Sequence, residues 1–371
     1  MGPAEITPVK NSKELGEFLA LPYRLYREDP YWVQPLWTAQ KRLFESRDHP
    51  FYGHGEIQCY LARRDGHPVG RIGAILDRDF NRVHNESAGF FGFFESINDP
   101  EVSRALLEAA RNWVSERGAC FIRGPMNPSA NYECGLLIEG FASPPQIMMT
   151  YNPQYYVELI EGAGFRRAKD LYSIYLSADD LVVERAERIA RHALEAKGVR
   201  IRAIEMKNFQ SEAQRVWEVY NSAWSSNWGF VPMTREEFFF LARELKDIAV
   251  PDLVLMAEIS GRLIGFLLAL PDINQALRHT RSRFLPLLLF NILYYKRSIR
   301  SMRVVLLGVL EEFRTTGVAA ALYTETIRRG LRLGYHDCEM SWVLDDNVLM
   351  IRSIELLGGR RFKTYRIYER E

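Results

Sequence analysis

One loop in the last third of the chain has the residue types of an anion-binding site. The segment VVLLGVL (304–310) is aliphatic like a buried strand, the loop Glu311–Thr316 follows it, and a helix begins at Gly317 with small residues. Small side chains leave the first backbone N–H groups of a helix uncovered at the positive end of its dipole. Arg314 adds a guanidinium, which suits a phosphate. The pattern predicts a phosphate or pyrophosphate site, and the alternative interpretation is a helix start shaped only by packing.

The other chemistry-bearing residues give no sign of a metal or of nucleotide hydrolysis. There is no GxxxxGK[ST] motif, which argues against a magnesium-dependent P-loop. The seven histidines are scattered without an HExxH spacing, so we expect no metal ligands. The cysteines form no CxxC pair, which argues against a zinc ribbon and favours a reducing compartment; they are Cys59, Cys120, Cys134 and Cys338.

Composition narrows the class of protein. A length of 371 residues exceeds one ordinary domain and suits two. Apolar residues make up 47% and charged residues 26%, as in a folded globular protein. The 48 basic and 47 acidic residues nearly cancel, so we expect no nucleic-acid partner. The N-terminal MGPAEITPVKNSKEL lacks the apolar segment of a signal peptide, and we expect a cytoplasmic protein.

Two pairs of similar segments indicate an internal duplication. Residues 60–77 and 255–272 both have the pattern of a strand, a glycine turn and a second strand. Residues 159–176 likewise resemble residues 353–370, each with a helix end, a basic turn and a β-branched and aromatic strand. The predicted organisation is a first domain over 1–178, a linker helix over 179–198 and a second domain over 199–371.

The second half has the element order of a mixed α/β domain. Its pattern of apolar residues predicts β-α-α-β-β-β-α-β-α-β, and the first half follows a similar order. The strand before the anion-binding loop is nearly all aliphatic, as in the interior of a buried sheet. We therefore predict an α/β fold of two domains, each with a mixed central sheet flanked by helices.

At its strand–loop–helix junction the second half resembles the GNAT acyl-coenzyme A N-acyltransferases. The segment Arg314–Ala319 fits their (Q/R)-x-x-G-x-(G/A) motif at every constrained position. Asn347 follows the fifth strand, where an asparagine of the family commonly bonds coenzyme A. The resemblance implies two tandem GNAT domains, acetyl-coenzyme A or a longer acyl-coenzyme A as substrate, no metal, and acyl transfer to an amine. The residues that it implies for coenzyme A binding are Leu307, Val309, Leu310, Arg314, Thr315, Thr316, Gly317, Val318, Ala319 and Asn347.

The general acid that the resemblance implies is missing. Many GNAT enzymes place a tyrosine seven residues after the asparagine, where this chain has Ile354. Tyr323 and Tyr335 are near in sequence, but nothing in the sequence places either hydroxyl at the thioester sulfur. Glu311 and Glu312 end the central strand, where members of the family often keep a base, and Glu311 is the first catalytic candidate. The alternative for both is a solvated carboxylate of the loop.

The first half lacks the anion-binding start of the helix. Its equivalent junction has Asn98 or Asp99 as the N-cap, Pro100 in the first turn and Glu101 after it. Carboxylates then occupy the positive end of the helix, which suits a helix start and repels a phosphate. We interpret the first half as a degenerate GNAT-like copy that no longer binds coenzyme A.

Two polar loops are candidates for the acceptor pocket. The segment 124–156 faces the cleft in GNAT folds, and its candidate residues are Asn127, Asn131, Glu133, Tyr151 and Asn152. Among these, Glu133 and Tyr151 join Glu311 as catalytic candidates. The loop 221–234, which covers the acceptor in the family, adds Trp224, Asn227 and Trp228. The alternative interpretation is that the Asn and Pro residues only set turns and the tryptophans only fill the core.

An insertion over 273–303 separates the second hairpin from the central strand. Its segment Phe284–Tyr295 is mostly apolar and too short to span a bilayer. Basic residues flank that segment on both sides; they are Arg278, Arg281, Arg283, Lys296, Arg297, Arg300 and Arg303. This pattern predicts a peripheral contact through 284–297 with a membrane, a long acyl chain or a partner. The alternative is a lid helix docked on its own domain.

A narrower resemblance points to bacterial tandem-GNAT proteins, some of which are associated with ceramide synthesis. It is carried by PYRLYREDPYWVQPLW, HPFYGHGEI, GPMNPSANYECGLLIEGF and MSWVLDDN. We interpret the chain as an N-acyltransferase that acts on a small-molecule or lipid amine. The alternatives are a non-catalytic acyl-coenzyme A binding or sensing protein, and a long-chain (sphingoid-type) amine N-acyltransferase peripheral at the inner membrane. Monomer and homodimer both stay open.

Overall fold

The computed structural model describes residues 2–45, 49–279 and 285–371. The strands that begin in the first half are β1 (Glu5–Pro8), β2 (Gly55–Arg64), β3 (His67–Asp77), β4 (Ala88–Ser96), β5 (Phe121–Gly124), β6 (Met126–Asn127), β7 (Glu133–Cys134), β8 (Leu136–Glu139) and β9 (Arg166–Ser177). The helices of this half are α1 (Ser12–Leu25), α2 (Trp37–Glu45), α3 (Arg78–His84), α4 (Pro100–Ser115) and α5 (Tyr156–Gly162).

Among the described residues, the second half has a similar succession without counterparts of β6, β7 and β8, and its insertion contains two helices. Its strands are β10 (Arg200–Ala203), β11 (Val254–Ile259), β12 (Arg262–Pro271), β13 (Ser301–Val309), β14 (Asp337–Leu344) and β15 (Arg360–Arg370). Its helices are α6 (Glu184–Ala196), α7 (Phe209–Ala223), α8 (Arg235–Lys246), α9 (Asn274–Leu277), α10 (Leu285–Tyr295), α11 (Val318–Arg332) and α12 (Val348–Glu355). In the described part of the chain, no helix combines the length and apolar character needed to cross a membrane.

The chain divides into two units, each with a mixed sheet. Unit 1 comprises Met1–Leu171, Leu277–Phe290 and Lys363–Glu371, and unit 2 comprises Tyr172–Ala276 and Asn291–Phe362. The strand order is β1-β2-β3-β4-β5-β15 in unit 1 and β10-β11-β12-β13-β14-β9 in unit 2. In unit 1, β4 and β5 form a parallel pair, as do β13 and β14 in unit 2. The predicted α/β class with mixed central sheets is confirmed.

The two units exchange the strands that end the two halves of the sequence. The C-terminal segment Lys363–Glu371 belongs to unit 1, where Tyr368 pairs with Gly124 across β15 and β5. The end of β9, from Tyr172, belongs to unit 2. Sequence similarity finds both strands, but it does not reveal which sheet each one joins. The predicted boundaries at 178 and 199 stay a prediction.

The two hairpins that indicate the duplication have the same turn geometry. Asp65 and Gly66 join β2 to β3 with φ of 51° and 76°, and Ser260 and Gly261 join β11 to β12 with φ of 47° and 83°. Two successive residues with positive φ form the tight turn that matches the twist of antiparallel strands. The predicted hairpins are confirmed in both units.

Unit 1 fills the space beside its parallel strand pair with its own chain. Strands β4 and β5 are paired only from Ala88 to Phe90, and a bulge places Phe93 at a φ of 52°. Beyond that point, β6 lies against β4. The side-chain Oδ1 of Asn127 accepts the N–H of Phe93 at 2.7 Å, and a Cβ added to Gly92 would overlap the carbonyl oxygen of Met126. The edge of β4 is therefore occupied by residues of unit 1.

We predict that Gly92→Ala destabilises the protein. The added methyl group would overlap a backbone carbonyl that cannot rotate away, and overpacking of this kind typically costs about 1–3 kcal/mol. The midpoint of urea unfolding should fall. The control is Gly16→Ala inside α1, where a Cβ meets no atom within 4 Å and helix propensity favours alanine by roughly 1 kcal/mol. Equal midpoints for the two variants would contradict the packing of β6 on β4.

Candidate active site

A wedge opens between β13 and β14 in unit 2. The two strands are paired only from Ser301 to Val304, although both continue for several residues. Beyond this point β13 stays paired with β12, and the register shift between those strands makes Val305 the extra residue of a bulge. The backbone of β13 from Val305 to Val309 therefore has an edge away from β12 that β14 does not cover. Among the residues predicted to bind the pantetheine arm, Leu307 and Val309 lie along this segment and Leu310 follows it directly.

The loop after β13 leads into a helix without a side-chain cap. A 3-10 turn, Glu311–Phe313, follows β13, and Gly317 is the N-cap of α11 with a φ of 88°. No side chain caps the first turn of α11, and the hydroxyl of Thr316 donates to the carbonyl of Phe313 at 2.8 Å. The backbone N–H groups at the positive end of α11 are thus not capped by any side chain, which is the arrangement an anion requires.

The equivalent helix of unit 1 has the opposite arrangement. The side chain of Asp99 accepts the N–H of Glu101 at 2.9 Å and that of Val102 at 3.4 Å, so it caps α4. Arg64 donates to the same carboxylate at 2.8 Å and holds the pKa of Asp99 below its ordinary value. Of the two predicted N-caps, Asn98 and Asp99, the structure has Asp99. Because a carboxylate already occupies this helix end, an anionic ligand is excluded from it.

Arg314 and Gly317 fix the position of the loop. The Arg314 guanidinium donates to the carbonyl of Ala223, the last residue of α7, at 2.8 Å. A guanidinium has five N–H donors, so this bond leaves others for a phosphate. A Cβ added to Gly317 would lie 2.9 Å from Cγ2 of Ile189 in α6. Gly317 is therefore required both by its positive φ and by the close approach of α6.

Helix α6 is a packing partner of the anion site and not only a connection. It lies within the segment 179–198 that we predict as a linker, and it packs against α11. Ala190 and Ala193 are buried, and the small side chain of Ala193 would be 3.3 Å from a Cβ on Gly317. This contact is not apparent from the sequence, because small residues spaced three apart on a short helix are only a weak indication of close helix packing.

Asn347, the other residue that we predict to bind coenzyme A, follows β14 and is the N-cap of α12. Its side-chain Oδ1 accepts the N–H of Met350 at 3.2 Å and caps α12. Ile354, at the position of the absent tyrosine, is completely buried in the core of unit 2. The position cannot supply a proton, since an isoleucine side chain has no ionisable group.

Tyr323 is a buried hydroxyl close to this region. It lies on α11, is only 3% exposed, and its hydroxyl has no hydrogen-bond partner among the described residues. Burial, with a smaller contribution from Cys338 of β14, raises the pKa of Tyr323 well above its ordinary value. Tyr335 is half-buried, and burial raises its pKa as well. Both side chains are therefore protonated at neutral pH, and Tyr323 has an unused donor.

Two neighbouring carboxylates at the end of β13 differ in their partners. Glu311 is exposed and forms no ion pair with a described residue, whereas Glu312 pairs with Arg262 at 2.8 Å. Glu311 is therefore the carboxylate at this strand end that stays available to accept a proton.

An aromatic side chain packs on the backbone of β13. A Cβ added to Gly308 would lie 2.5 Å from the ring of Trp224, and that ring is 5.8 Å from the ring of Phe266. Trp224 belongs to the loop that we predict to cover the acceptor, and it is half-buried. It therefore forms a wall beside the wedge, while its role in binding an acceptor stays a prediction.

The catalytic candidates of the first half lie in unit 1. The hydroxyl of Tyr151 donates to both carboxylate oxygens of Asp29 at 3.0 Å. Burial and this bond raise the pKa of Tyr151. Glu133 is exposed on the short strand β7. The roles of Glu133 and Tyr151 stay predictions.

Two asparagine side chains of the segment 124–156 form hydrogen bonds with the backbone. Oδ1 of Asn152 accepts the N–H of Leu137 at 2.7 Å, and its Nδ2 donates to the Leu137 carbonyl at 3.1 Å. The side chain of Asn127 accepts the N–H of Phe93 in β4. For Asn127 and Asn152 these contacts favour the alternative in which the residues order the loop over a role in the acceptor pocket. Among the described residues no group of His, Cys, Asp and Glu is arranged to hold a metal.

Comparisons with known proteins identify relatives over nearly the whole chain. No protein-family model matches the sequence. The chain is 35% identical over 372 residues to the "Bacterial ceramide synthase" of Caulobacter vibrioides (strain NA1000 / CB15N), covering 98% of this chain and 97% of that protein. It is 34% identical over 367 residues to "Protein YghO" of Escherichia coli (strain K12), covering 97% and 94%. A solved tandem GNAT protein from the clavulanic acid biosynthesis pathway superposes with a TM-score of 0.58 at 14% identity, covering 99% and 98%, which shows the fold alone.

We predict that Ala319→Glu lowers the affinity for coenzyme A at least tenfold. The new carboxylate would lie in the first turn of α11 and repel the phosphates, while an acidic residue at this helix end does not disfavour folding. Titration calorimetry measures the affinity. Leu331→Glu adds the same charge to the last turn of the same helix, at a position that is 40% exposed, and should bind like the wild type. Unchanged affinity in a folded Ala319→Glu protein would show that the anion site is elsewhere.

Proposed function

Since the chain belongs to the tandem-GNAT N-acyltransferase family that includes the bacterial ceramide synthase of Caulobacter vibrioides, we propose that it transfers an acyl group from coenzyme A to a long-chain amine. The proposal takes the acceptor class from the name of that relative, because a ceramide is the amide of a long-chain amino alcohol. The donor is a long-chain acyl-coenzyme A in this proposal, with acetyl-coenzyme A as the competing donor.

The observation that carries the proposal is the open edge of β13 beside an uncapped helix. Five residues from Val305 to Val309 offer roughly 16 Å of strand edge at about 3.3 Å per residue. An extended arm with amide groups can pair with such an edge as an added strand does. With its phosphates at α11, the arm would run back along β13 and direct the thioester toward the closed end of the wedge.

The chemistry requires an amine, a thioester and two proton transfers. The neutral amine attacks the thioester carbonyl, the C–S bond breaks, and the thiolate leaves as the amide forms. Glu311 lies at the phosphate end of β13, so it would accept the proton that the attacking nitrogen loses through ordered water. Tyr323 would donate a proton to the departing sulfur, since its buried hydroxyl has no hydrogen-bond partner among the described residues. Trp224 would exclude water from the side of β13.

One observation favours a second function. Ile354 occupies the position of the usual acid and is completely buried, which agrees with a protein that binds acyl-coenzyme A without turnover. The two functions differ in a direct assay. A non-catalytic protein would bind palmitoyl-coenzyme A and release no thiol in the presence of a long-chain amine.

Glu311→Gln should lower kcat by about 10²–10⁴-fold, since the substitution removes the base and keeps the shape. The assay follows free thiol and the amide product by mass spectrometry, with palmitoyl- or acetyl-coenzyme A and either a long-chain amino alcohol or a short amine. Glu312→Gln is the matched control, because its carboxylate is paired with Arg262, and its kcat should stay within a few-fold of the wild type. Similar rates for the two variants would rule out Glu311 as the base.

Tyr323→Phe should lower kcat while leaving the affinity for coenzyme A unchanged. The same substitution removes a buried hydroxyl without a partner, so the free energy of unfolding should stay the same or rise. Tyr335→Phe, which removes a half-buried hydroxyl on the turn after α11, is the control. A stabilised Tyr323→Phe protein with full activity would show that this hydroxyl has no part in the reaction.

A further inference from the structure

Helix α10 of the insertion exposes a face made of large apolar side chains. The exposed fraction is 43% for Leu287, 60% for Phe290, 72% for Leu293 and 69% for Tyr294. At 100° per residue these four positions fall within an arc of about 120° on the helix. Leu288 is only 3% exposed and lies on the other side. The helix thus has one side buried in the protein and a second apolar side in contact with solvent.

This arrangement is unusual for a helix on the surface of a soluble domain. Such a helix normally presents polar and charged residues on its outer face. The outer face of α10 instead joins two leucines, a phenylalanine and a tyrosine into one stripe. A contiguous apolar patch of this kind marks a binding surface for a protein or a membrane.

The charged residues of the insertion have one sign. The sequence 273–303 contains no aspartate or glutamate. Lys296, Arg297 and Arg300 follow the helix, are exposed, and form no ion pair with any residue that the structure describes. Cations at the end of a helix complement its dipole, but Arg300 lies beyond the helix and its charge is not explained in this way.

We propose that α10 docks onto a bilayer that contains anionic lipids. Its apolar stripe would lie among the upper parts of the acyl chains, and Lys296, Arg297 and Arg300 would contact the phosphate groups. The helix has 11 residues and a length of about 16 Å, much less than the thickness of the hydrocarbon core, so it lies in the interface and does not cross it. This binding is independent of catalysis, and it would give the enzyme access to a lipid amine.

The charge pattern favours a lipid surface over a second copy of the chain. The insertion of each copy has basic residues on both sides of α10 and no acidic residue, so a twofold interface through this stripe would find no complementary charge in the insertion of the other copy. Anionic head groups supply the complementary charge next to an apolar layer.

Vesicle flotation of the full chain without acyl-coenzyme A tests the proposal. Binding to vesicles of phosphatidylcholine with about one-third phosphatidylglycerol should be at least tenfold tighter than to pure phosphatidylcholine, since each basic residue contributes about a fivefold factor near an anionic surface. Lys296→Gln with Arg297→Gln should remove most of this preference. Leu287→Ser with Leu293→Ser should weaken binding to both kinds of vesicle.

Matched controls distinguish vesicle binding through α10 from the effect of losing positive charge or an exposed apolar side chain elsewhere. Lys197→Gln with Lys207→Gln removes two exposed charges elsewhere, and Leu356→Ser removes an apolar side chain that is 52% exposed. Both control proteins should bind vesicles like the wild type. Because the assay contains no donor or acceptor, loss of binding and loss of acyltransfer are distinguishable.

Three results would overturn the proposal. The first is equal binding of the wild type to neutral and anionic vesicles, or no binding to either. The second is a dimer in solution that the leucine substitutions dissolve while vesicle binding stays unchanged. The third is a lowered melting temperature and altered acyl-coenzyme A affinity in the leucine variant with unchanged vesicle binding, which would identify α10 as a lid on its own domain.

Discussion

Backbone groups at the end of a parallel strand pair must find partners, and the two units of this chain meet that requirement differently. In both units the parallel strands are paired over only three or four residues before they separate. A strand edge that is left unpaired in a dry interior is costly, so another group must cover it. Unit 1 uses its own chain, because Asn127 accepts the N–H of Phe93 and Gly92 lets β6 approach closely. Unit 2 leaves the edge of β13 for a ligand, and the proposed substrate site depends on that difference.

The N-termini of α4 and α11 differ in the same way as the two strand edges. Asp99 caps α4 and is held by Arg64, so unit 1 presents a carboxylate where a phosphate would have to bind. Gly317 starts α11 without a side-chain cap and leaves donors at the positive helix end. An open strand edge and an open helix end occur together in unit 2, whereas both are closed in unit 1. We therefore propose that one copy of the duplicated fold has kept a binding site, whereas the other copy uses the same positions for stability.

Sequence patterns over a few residues predicted much of this structure. They did not predict contacts between residues far apart in the chain. The hairpins, the element order and a cap at Asn98 or Asp99 follow from turn, periodicity and capping preferences over a few residues, and each is confirmed. The roles of Asn127 and Asn152 could not be assigned, because an asparagine side chain suits a pocket or a backbone bond equally well. The exchange of β9 and β15 and the contact of α6 with Gly317 depend on residues far apart in the chain. Neither has a periodicity that a single sequence reveals.

Amide hydrogen exchange of the intact protein, with and without saturating palmitoyl-coenzyme A, tests most directly whether the edge of β13 is the binding surface. The account predicts slower exchange in peptides that cover 305–310 and 317–320, because the ligand would supply acceptors to the strand edge and the helix start. Exchange in 90–96 should not change, because Asn127 already occupies that edge. Protection in 90–96, or saturation without protection in 305–310, would contradict the account.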